Sequence, residues 1–450
     1  MWTNIFVDVM TPDLLRLHLE RSASLRLDVV ITNPHPFTHS VLYKEAHRFG
    51  RFIVDDMKLS PVWGDAFPGA ASNLEELRID ADPNYPSLGF LVPIFDGSLP
   101  MLQSLRLRNV PFWSMGMFKG LRHLEFINGA QTLPLFIPLI LDVLQASPSL
   151  ETLSVENGCI LPDPRYVCAV ASLPNLRRLR VTSDAVLKIL HLIDLPLSAD
   201  IEIARSFCEV SDPGLNVLSC LHTGLPWFNF LDGTRDVTVL LNADVMSVKI
   251  RNCHDGVITI NVKDIPIGAH GLDDVMPPRY SPLLINTFDA MSRLASLKSA
   301  SSLSIVIPED ARSTLLYTAV EGFTSPEWPH LLQNLENLAS IAVPLPFALL
   351  PIQVVISLSN FTMMCPRLKK VAVTTHIPAD EVHDDQLRRI TKFAEARYDS
   401  DFPLSSLDVD VSAATPISEK ARAEYSRTWN SLVGDVTFSV RFEGRSGHSM

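Results

Sequence analysis

The chain has 450 residues, of which 47% are hydrophobic and 20% charged, and a formal net charge of −12. That length exceeds what one hydrophobic core usually serves, and that composition excludes a disordered chain. The acidic balance, with no long basic run, argues against nucleic-acid binding by charge.

Residues 11–22 read as a short helix, with Thr11 placed to cap it and Pro12 in its first turn. Alternation over Leu25–Ile31 predicts a strand, which Asn33-Pro-His-Pro breaks. A second helix is expected over about 38–49 and a strand over Arg51–Leu59. From about residue 70 a tag of the form L-x-x-L-x-[L/V/I/F] recurs, starting at Leu74, Leu102, Leu121, Leu150 and Leu176. The intervals are 28, 19, 29 and 26 residues, close to the ~20–29 residues of leucine-rich repeats. Later tags are Leu338…Ile341…Val343, Leu368…Val371…Val373 and Leu404…Leu407…Val409. Each tag predicts a short strand with leucines inward and the intervening residues outward. The return segments are expected mostly as helix, best seen at Ile137–Ala146 and Gln353–Met364.

Between about 200 and 300 the pattern loosens. Strand-like pieces remain at Ala199–Ile203, Val237–Leu241, Val245–Ile250, Val257–Val262 and Leu303–Ile307, and residues 268–280 read as a loop. Ile341–Leu358 is nearly all apolar, but Pro344, Pro346, Pro351 and Gln353 favour strand Ala339–Val343, a turn and a buried helix over a membrane span. After 411 a charged helix, Ser418–Leu432, and a strand, Asp435–Phe442, are expected to cap the array. The domain reading is therefore an N-terminal cap over 1–66, a repeat array over 67–411, and a C-terminal cap and tail over 412–450. The fold class predicted is α/β: a curved leucine-rich-repeat solenoid with short parallel strands on the concave side and helices on the convex side.

The stretches Leu14…Leu19-Glu-Arg-Ser22…Leu25-Arg-Leu27-Asp-Val29, Leu74-Glu-Glu-Leu77-Arg-Ile79, Leu99-Pro-Met-Leu-Gln-Ser-Leu-Arg-Leu107, Phe118-Lys-Gly-Leu-Arg-His-Leu124-Glu and Leu141…Leu144…Ser147-Pro-Ser-Leu-Glu-Thr-Leu153 resemble the F-box and leucine-rich-repeat proteins numerous in mushroom-forming fungi. The likeness covers most of residues 1–200. It implies the substrate-selecting part of an SCF ubiquitin ligase. In that family an F-box opening with a Leu-Pro-x-Glu-like helix precedes a segment like Trp2-Thr3. The sequence holds no such element, so docking to the SCF adaptor is expected only if an F-box lies upstream.

None of the 13 histidines stands in H-E-x-x-H, and none of the six cysteines in C-x-x-C. The cysteines read as small buried hydrophobes of a reducing compartment. No basic n-region precedes an apolar stretch, so an intracellular protein is expected. His254-Asp255 and His383-Asp384-Asp385 read as solvated loop residues. Asp408 and Asp410 share a strand face that reads as exposed. G-x-S-x-G, G-x-G-x-x-G and the P-loop do not occur, so no catalytic, cofactor or metal residue is predicted. The expected role is non-enzymatic protein recognition. Its alternatives are a stand-alone repeat scaffold with no ubiquitin link and, further off, an enzyme with an unrecognised site.

The candidate partner-binding residues are Arg78, Arg106, Arg108, His123, Arg178 and Arg180, at outward tag positions. Stacked in register, the arginines would form a positive stripe suited to an acidic or phosphorylated segment of a protein of unknown identity. The competing reading is that they balance Glu76, Asp80, Glu125 and Glu156 on the same surface.

Overall fold

The computed structural model describes residues 3–7, 10–32, 41–57, 70–81, 95, 99–110, 118–127, 135–156, 160–161, 170–182, 190, 192–206, 218, 228–231, 233–242, 244–263, 265, 280–311, 315, 320–344, 346–349, 355–357, 360–362, 364–377, 383–413 and 416–442. The chain divides into two compact units. One is Met1–Ala204 with Thr223–Phe228, the other Arg205–His222 with Asn229–Met450.

In the first unit, strands β1 (Asn4–Phe6), β2 (Leu27–Ile31), β3 (Phe49–Met57), β4 (Glu76–Ala81), β5 (Ser104–Arg108), β6 (His123–Ile127), β7 (Thr152–Glu156), β8 (Arg178–Thr182) and β9 (Asp200–Ser206) follow one another. Each pairs with the next in parallel, from β1 through to the first five residues of β9. Among the described residues two helices lie between them, α1 (Pro12–Ser22) and α2 (Ile137–Gln145). Thr11 caps α1 as predicted, its Oγ1 accepting from the Leu14 amide.

The second unit begins with an antiparallel meander of β10 (Thr234–Leu241), β11 (Met246–Asn252) and β12 (Val257–Lys263). Strand β10 also pairs in parallel with β13 (Ser302–Val306). From there β14 (Ser340–Val343), β15 (Lys370–Ile377), β16 (Ser406–Ala413) and β17 (Asp435–Phe442) continue in parallel. Between and after them run α3 (Tyr280–Arg293), α4 (Glu327–Asn334), α5 (His383–Asp399) and α6 (Glu419–Leu432). The protein is thus mixed α/β with mostly parallel strands. Among the described residues, no helix is long and apolar enough to cross a membrane.

The tags place the core. The inward residues Leu77, Ile79, Leu105, Leu107, Leu124, Phe126, Leu153, Val155, Leu179 and Val181 are each at most 5% exposed. They stand beside one another in register, Leu77 with Leu105, Leu105 with Leu124, Leu124 with Leu153 and Leu153 with Leu179. Burying one such leucine contributes about 1.5–3 kcal/mol.

One backbone device recurs in both units. The amide of a tag's first leucine returns to the carbonyl three residues earlier, at Leu74, Leu102, Leu150, Leu176, Leu338 and Leu368. The next two amides then share a single carbonyl of the preceding segment. Gln103 and Ser104 share Glu75, Glu151 and Thr152 share Arg122, and Lys369 and Lys370 share Ala339. Asn73, Asn175 and Asn337, each just before a first leucine, donate to the carbonyls of His47, Pro148 and Lys298. Buried peptide groups are thereby satisfied between successive strands rather than within them.

Three expectations need correction. Gln353–Met364 is not a helix: Val355–Ser357 and Asn360–Thr362 form an antiparallel pair of strands. Val355 and Ile356 are β-branched, and a short apolar run does not by itself distinguish helix from strand. Of the helix expected over 38–49, the described part is α-helical at 41–42 and 3-10 over Tyr43–Arg48, and Phe49 already opens β3. The tags begin earlier than residue 70: Phe49-Gly-Arg-Phe52-Ile-Val54 is a tag built on phenylalanine, with Phe52 beside Leu77 and Val54 beside Ile79. Ala300-Ser-Ser-Leu303-Ser-Ile305 is another, in which Ala300, fully buried, takes the place of the first leucine. The loop expected over 268–279 lies outside the described residues.

The second unit buries an arginine in a web of backbone carbonyls. Arg397 of α5 is 0% exposed. Its guanidinium donates to the carbonyls of Phe402, Cys365 and Leu368 at 3.1, 3.1 and 2.9 Å, and to that of Met364 at 3.4 Å. Burial pulls its pKa down from the ordinary arginine value. The same burial pushes the neighbouring Cys365 thiol up to about 12, so that thiol stays protonated and inert. Arg397 therefore ties the turn that precedes the Leu368 tag to the end of α5.

Candidate functional site

Register aligns the outward tag positions of the first unit in rows across strands about 4.8 Å apart. One row runs Arg51, Glu76, Ser104, His123, Thr152, Arg178 and Asp200. The next runs Ile53, Arg78, Arg106, Glu125, Ser154, Arg180 and Glu202. All six candidate residues predicted from the sequence lie in these two rows or, for Arg108, one row further along β5 beside Asp80.

The rows are a mosaic of charge, which corrects the expected positive stripe. Arg78 lies 2.7 Å from Asp80 and 3.2 Å from Asp55. Arg106 lies 3.2 Å from Glu125 and 3.6 Å from Asp80. Arg180 lies 3.3 Å from Glu156 and 3.9 Å from Glu202. Arg51 meets Glu76 at 2.9 Å. The hydrogen bond to Asp80 raises the Arg78 pKa, against a smaller opposing effect of burial. Strand alternation forces this outcome, because arginines and carboxylates at the same tag position must share one face.

Three candidates differ. Arg108 and Arg178 are exposed and have no ion pair among the described residues. His123 is exposed, and its Nδ1 lies 2.9 Å from Thr152 Oγ1. Among the described residues, the exposed charges on this face without an ion pair include Arg108 and Arg178, separated by two intervening strands, and Asp200, beside Arg178 on β9.

Asp55, Arg51 and Glu202 also belong to the surface, and the sequence reading omits them. The Phe49–Val54 tag carries the signal for the first two, since it predicts which residues of β3 face outward.

Flanking the rows, Arg122 donates through Nε to Glu151 at 2.8 Å. That hydrogen bond holds the Glu151 carboxyl below the usual carboxylate range. Arg26 does the same to Glu75. Gly50 makes the reach of Arg26 possible, because a Cβ there would stand 1.6 Å from Arg26 Nε.

In the second unit the outward rows mix small side chains with four charged ones. Asp236, Ser302, Ser340, Lys370, Ser406 and Asp435 form one, and Thr238, Ser304, Ala342, Ala372, Asp408 and Thr437 the next. Asp408 is exposed as expected. Asp410, on the same face, is held by Arg441 at 2.7 Å and by Ser439 at 2.6 Å.

His254 and Asp255 lie in the turn between β11 and β12, where Asn252 Oδ1 accepts the amides of His254 and Gly256. Among the described residues, no group of three or more His, Cys, Asp or Glu is placed to hold a metal ion. An open cavity beside α1 is lined by Arg16, Glu20, Lys44, Glu45 and Arg48. Arg48 is already bonded to Leu25, Ser22 and Glu45 there.

No family model matches the chain, and no curated protein matches it. What the fold and surface define is a class: an α/β protein whose mostly parallel strands present rows of polar side chains.

Proposed function

We propose that the chain is a leucine-rich-repeat solenoid that recognises another protein inside the cell and performs no chemistry of its own. One observation supports the reading. Tags far apart in sequence lie in a single parallel register, so their outward side chains form continuous rows over successive strands. Stacked units of that kind offer a wide, rigid polar surface, on which complementary charge confers specificity more than affinity. The partner segment carries carboxylate or phosphate opposite Arg108 and Arg178, where guanidinium forms paired hydrogen bonds. It carries cations opposite Glu125 and Glu156. The resemblance to F-box proteins extends this to choosing substrates for ubiquitination, and the version without a ubiquitin link is a stand-alone scaffold.

The test changes Arg106, Arg108, Arg178 and Arg180 together to Glu. Circular dichroism is expected to stay that of the parent, while affinity capture with mass spectrometry loses the parent's partners. The same partners recovered on an intact fold would exclude this surface. The chain as given is expected not to retain purified SCF adaptor. Retention would overturn the expectation that adaptor docking needs an upstream F-box.

A further inference from the structure

We infer that the free edge of β17 is where two copies of this chain pair, antiparallel about Phe438. Strand β17 bonds β16 along all eight of its residues, and no strand pairs with its other side among the described residues. The peptide groups on that side form a ready template for another strand.

The side chains are in the same position. On β16 the inward residues Leu407, Val409 and Val411 are at most 2% exposed. On β17 their counterparts Val436, Phe438 and Val440 are only half-buried, although Trp429 of α6 packs on Phe438 with ring centroids 5.0 Å apart. An apolar row and a backbone edge are left open together.

The sequence of β17 selects its occupant. In an antiparallel pair centred on Phe438, Asp435 of each copy stands opposite Arg441 of the other. Val436 then faces Val440, Thr437 faces Ser439, and Phe438 faces itself. Opposite charges and apolar pairs placed directly across a ladder are favourable. Centring one residue earlier sets Asp435 against Ser439, and one residue later sets Arg441 against Thr437, so charge complementarity chooses the Phe438 register. Asp435 is exposed and has no ion pair among the described residues. Arg441, its side chain 61% exposed, is held by Asp410 of neighbouring β16 at 2.7 Å and by Glu309 at 2.8 Å. Those two bonds use two of the five guanidinium donors. A twofold contact of this kind is self-complementary and closes at two copies.

Sedimentation of the full chain over a concentration series is expected to show a monomer–dimer equilibrium. Asp435→Arg alone and Arg441→Asp alone should each weaken it about tenfold, by setting like charges across the ladder. Asp435→Arg with Arg441→Asp should restore it. Arg441→Asp also breaks contacts within the chain, so a second measurement is independent of charge. Opposed Cα atoms in such a pair lie about 4.5–5.5 Å apart, within reach of a disulfide. A mixture of Thr437→Cys and Ser439→Cys chains should therefore cross-link on mild oxidation far more than either alone or the parent. A chain that is monomeric at every concentration overturns the inference, as does cross-linking of Thr437→Cys alone equal to that of the mixture.

Discussion

Each of the two units uses the same kind of backbone ladder, and the two carry different outward faces. In the first unit the outward rows hold Arg78, Arg106, Arg180, Glu125 and Glu202 in ion pairs. In the second, the equivalent rows hold Ser302, Ser304, Ser340, Ala342 and Ala372, with Asp236, Lys370, Asp408 and Asp435 among them. Inward, both units bury the same leucine and valine pattern. Packing dictates the inward row, because each side chain there meets its neighbours at near-crystalline density. No such demand acts on the outward row, which is free to differ. The charged face of the first unit is thus the better candidate for recognising a partner by charge.

The largest expected effect tests the buried arginine tie of the second unit, the counterpart of Arg48 in the first, which bonds the Leu25 carbonyl and Ser22. Arg397→Ala should destabilise by about 3–5 kcal/mol, because several buried carbonyls lose their donor at roughly 1–3 kcal/mol each, less some relaxation. Urea unfolding would measure it. A loss under about 1 kcal/mol would mean that water replaces the guanidinium and that Arg397 is not a structural tie.

Next come the leucines. Leu105→Ala and Leu153→Ala in the first unit, and Leu407→Ala in the second, should each cost about 2–5 kcal/mol. Each of the three is at most 1% exposed. Hydrogen exchange should show that the loss spreads to the strands on either side of the changed tag. Unchanged exchange in those neighbours would show that the units do not share stability through stacking.

A smaller effect probes the device that both units use. Asn175→Ala and Asn337→Ala each remove one side-chain bond to the preceding segment and should cost about 1 kcal/mol. Equal losses would show that the Asn before the first leucine does the same task in both units. A loss in only one would separate them.

The smallest effect concerns pH and the first unit. The Glu151 carboxyl is held below its ordinary range chiefly by the Arg122 hydrogen bond. A depressed carboxylate stabilises the fold above the unfolded value of about 4.3 and loses that contribution as pH falls through the lower folded value. Glu151→Gln should therefore melt slightly below the parent near neutral pH and match it in strong acid. A difference that grows on acidification would reverse the sign and refute the pairing.

Much of this architecture is legible in the sequence because each tag is a local signal. The alternation that buries Leu105 and Leu107 and exposes Arg106 needs no distant residue, and neither does the Thr11 cap of α1. The Phe49–Val54 and Ala300–Ile305 tags stay hidden because phenylalanine and alanine fill leucine positions. Only the neighbouring strands show that they do. The Val355–Thr362 hairpin is missed for a related reason: a short β-branched run satisfies either period until a partner strand fixes it.

The sequence by itself determined which residues face inward, since strand geometry alternates side chains regardless of context. It also determined that the six candidate residues occupy outward positions. Register alone decided their charge environment. Arg106 lies beside Glu125 and Arg180 beside Glu202 because β5 pairs with β6 and β8 with β9 without slippage, and a shift by two residues would preserve the face while exchanging every partner. Which arginines remain free for another molecule is therefore a property of strand pairing, set by contacts between segments remote in the chain, and no local pattern encodes it.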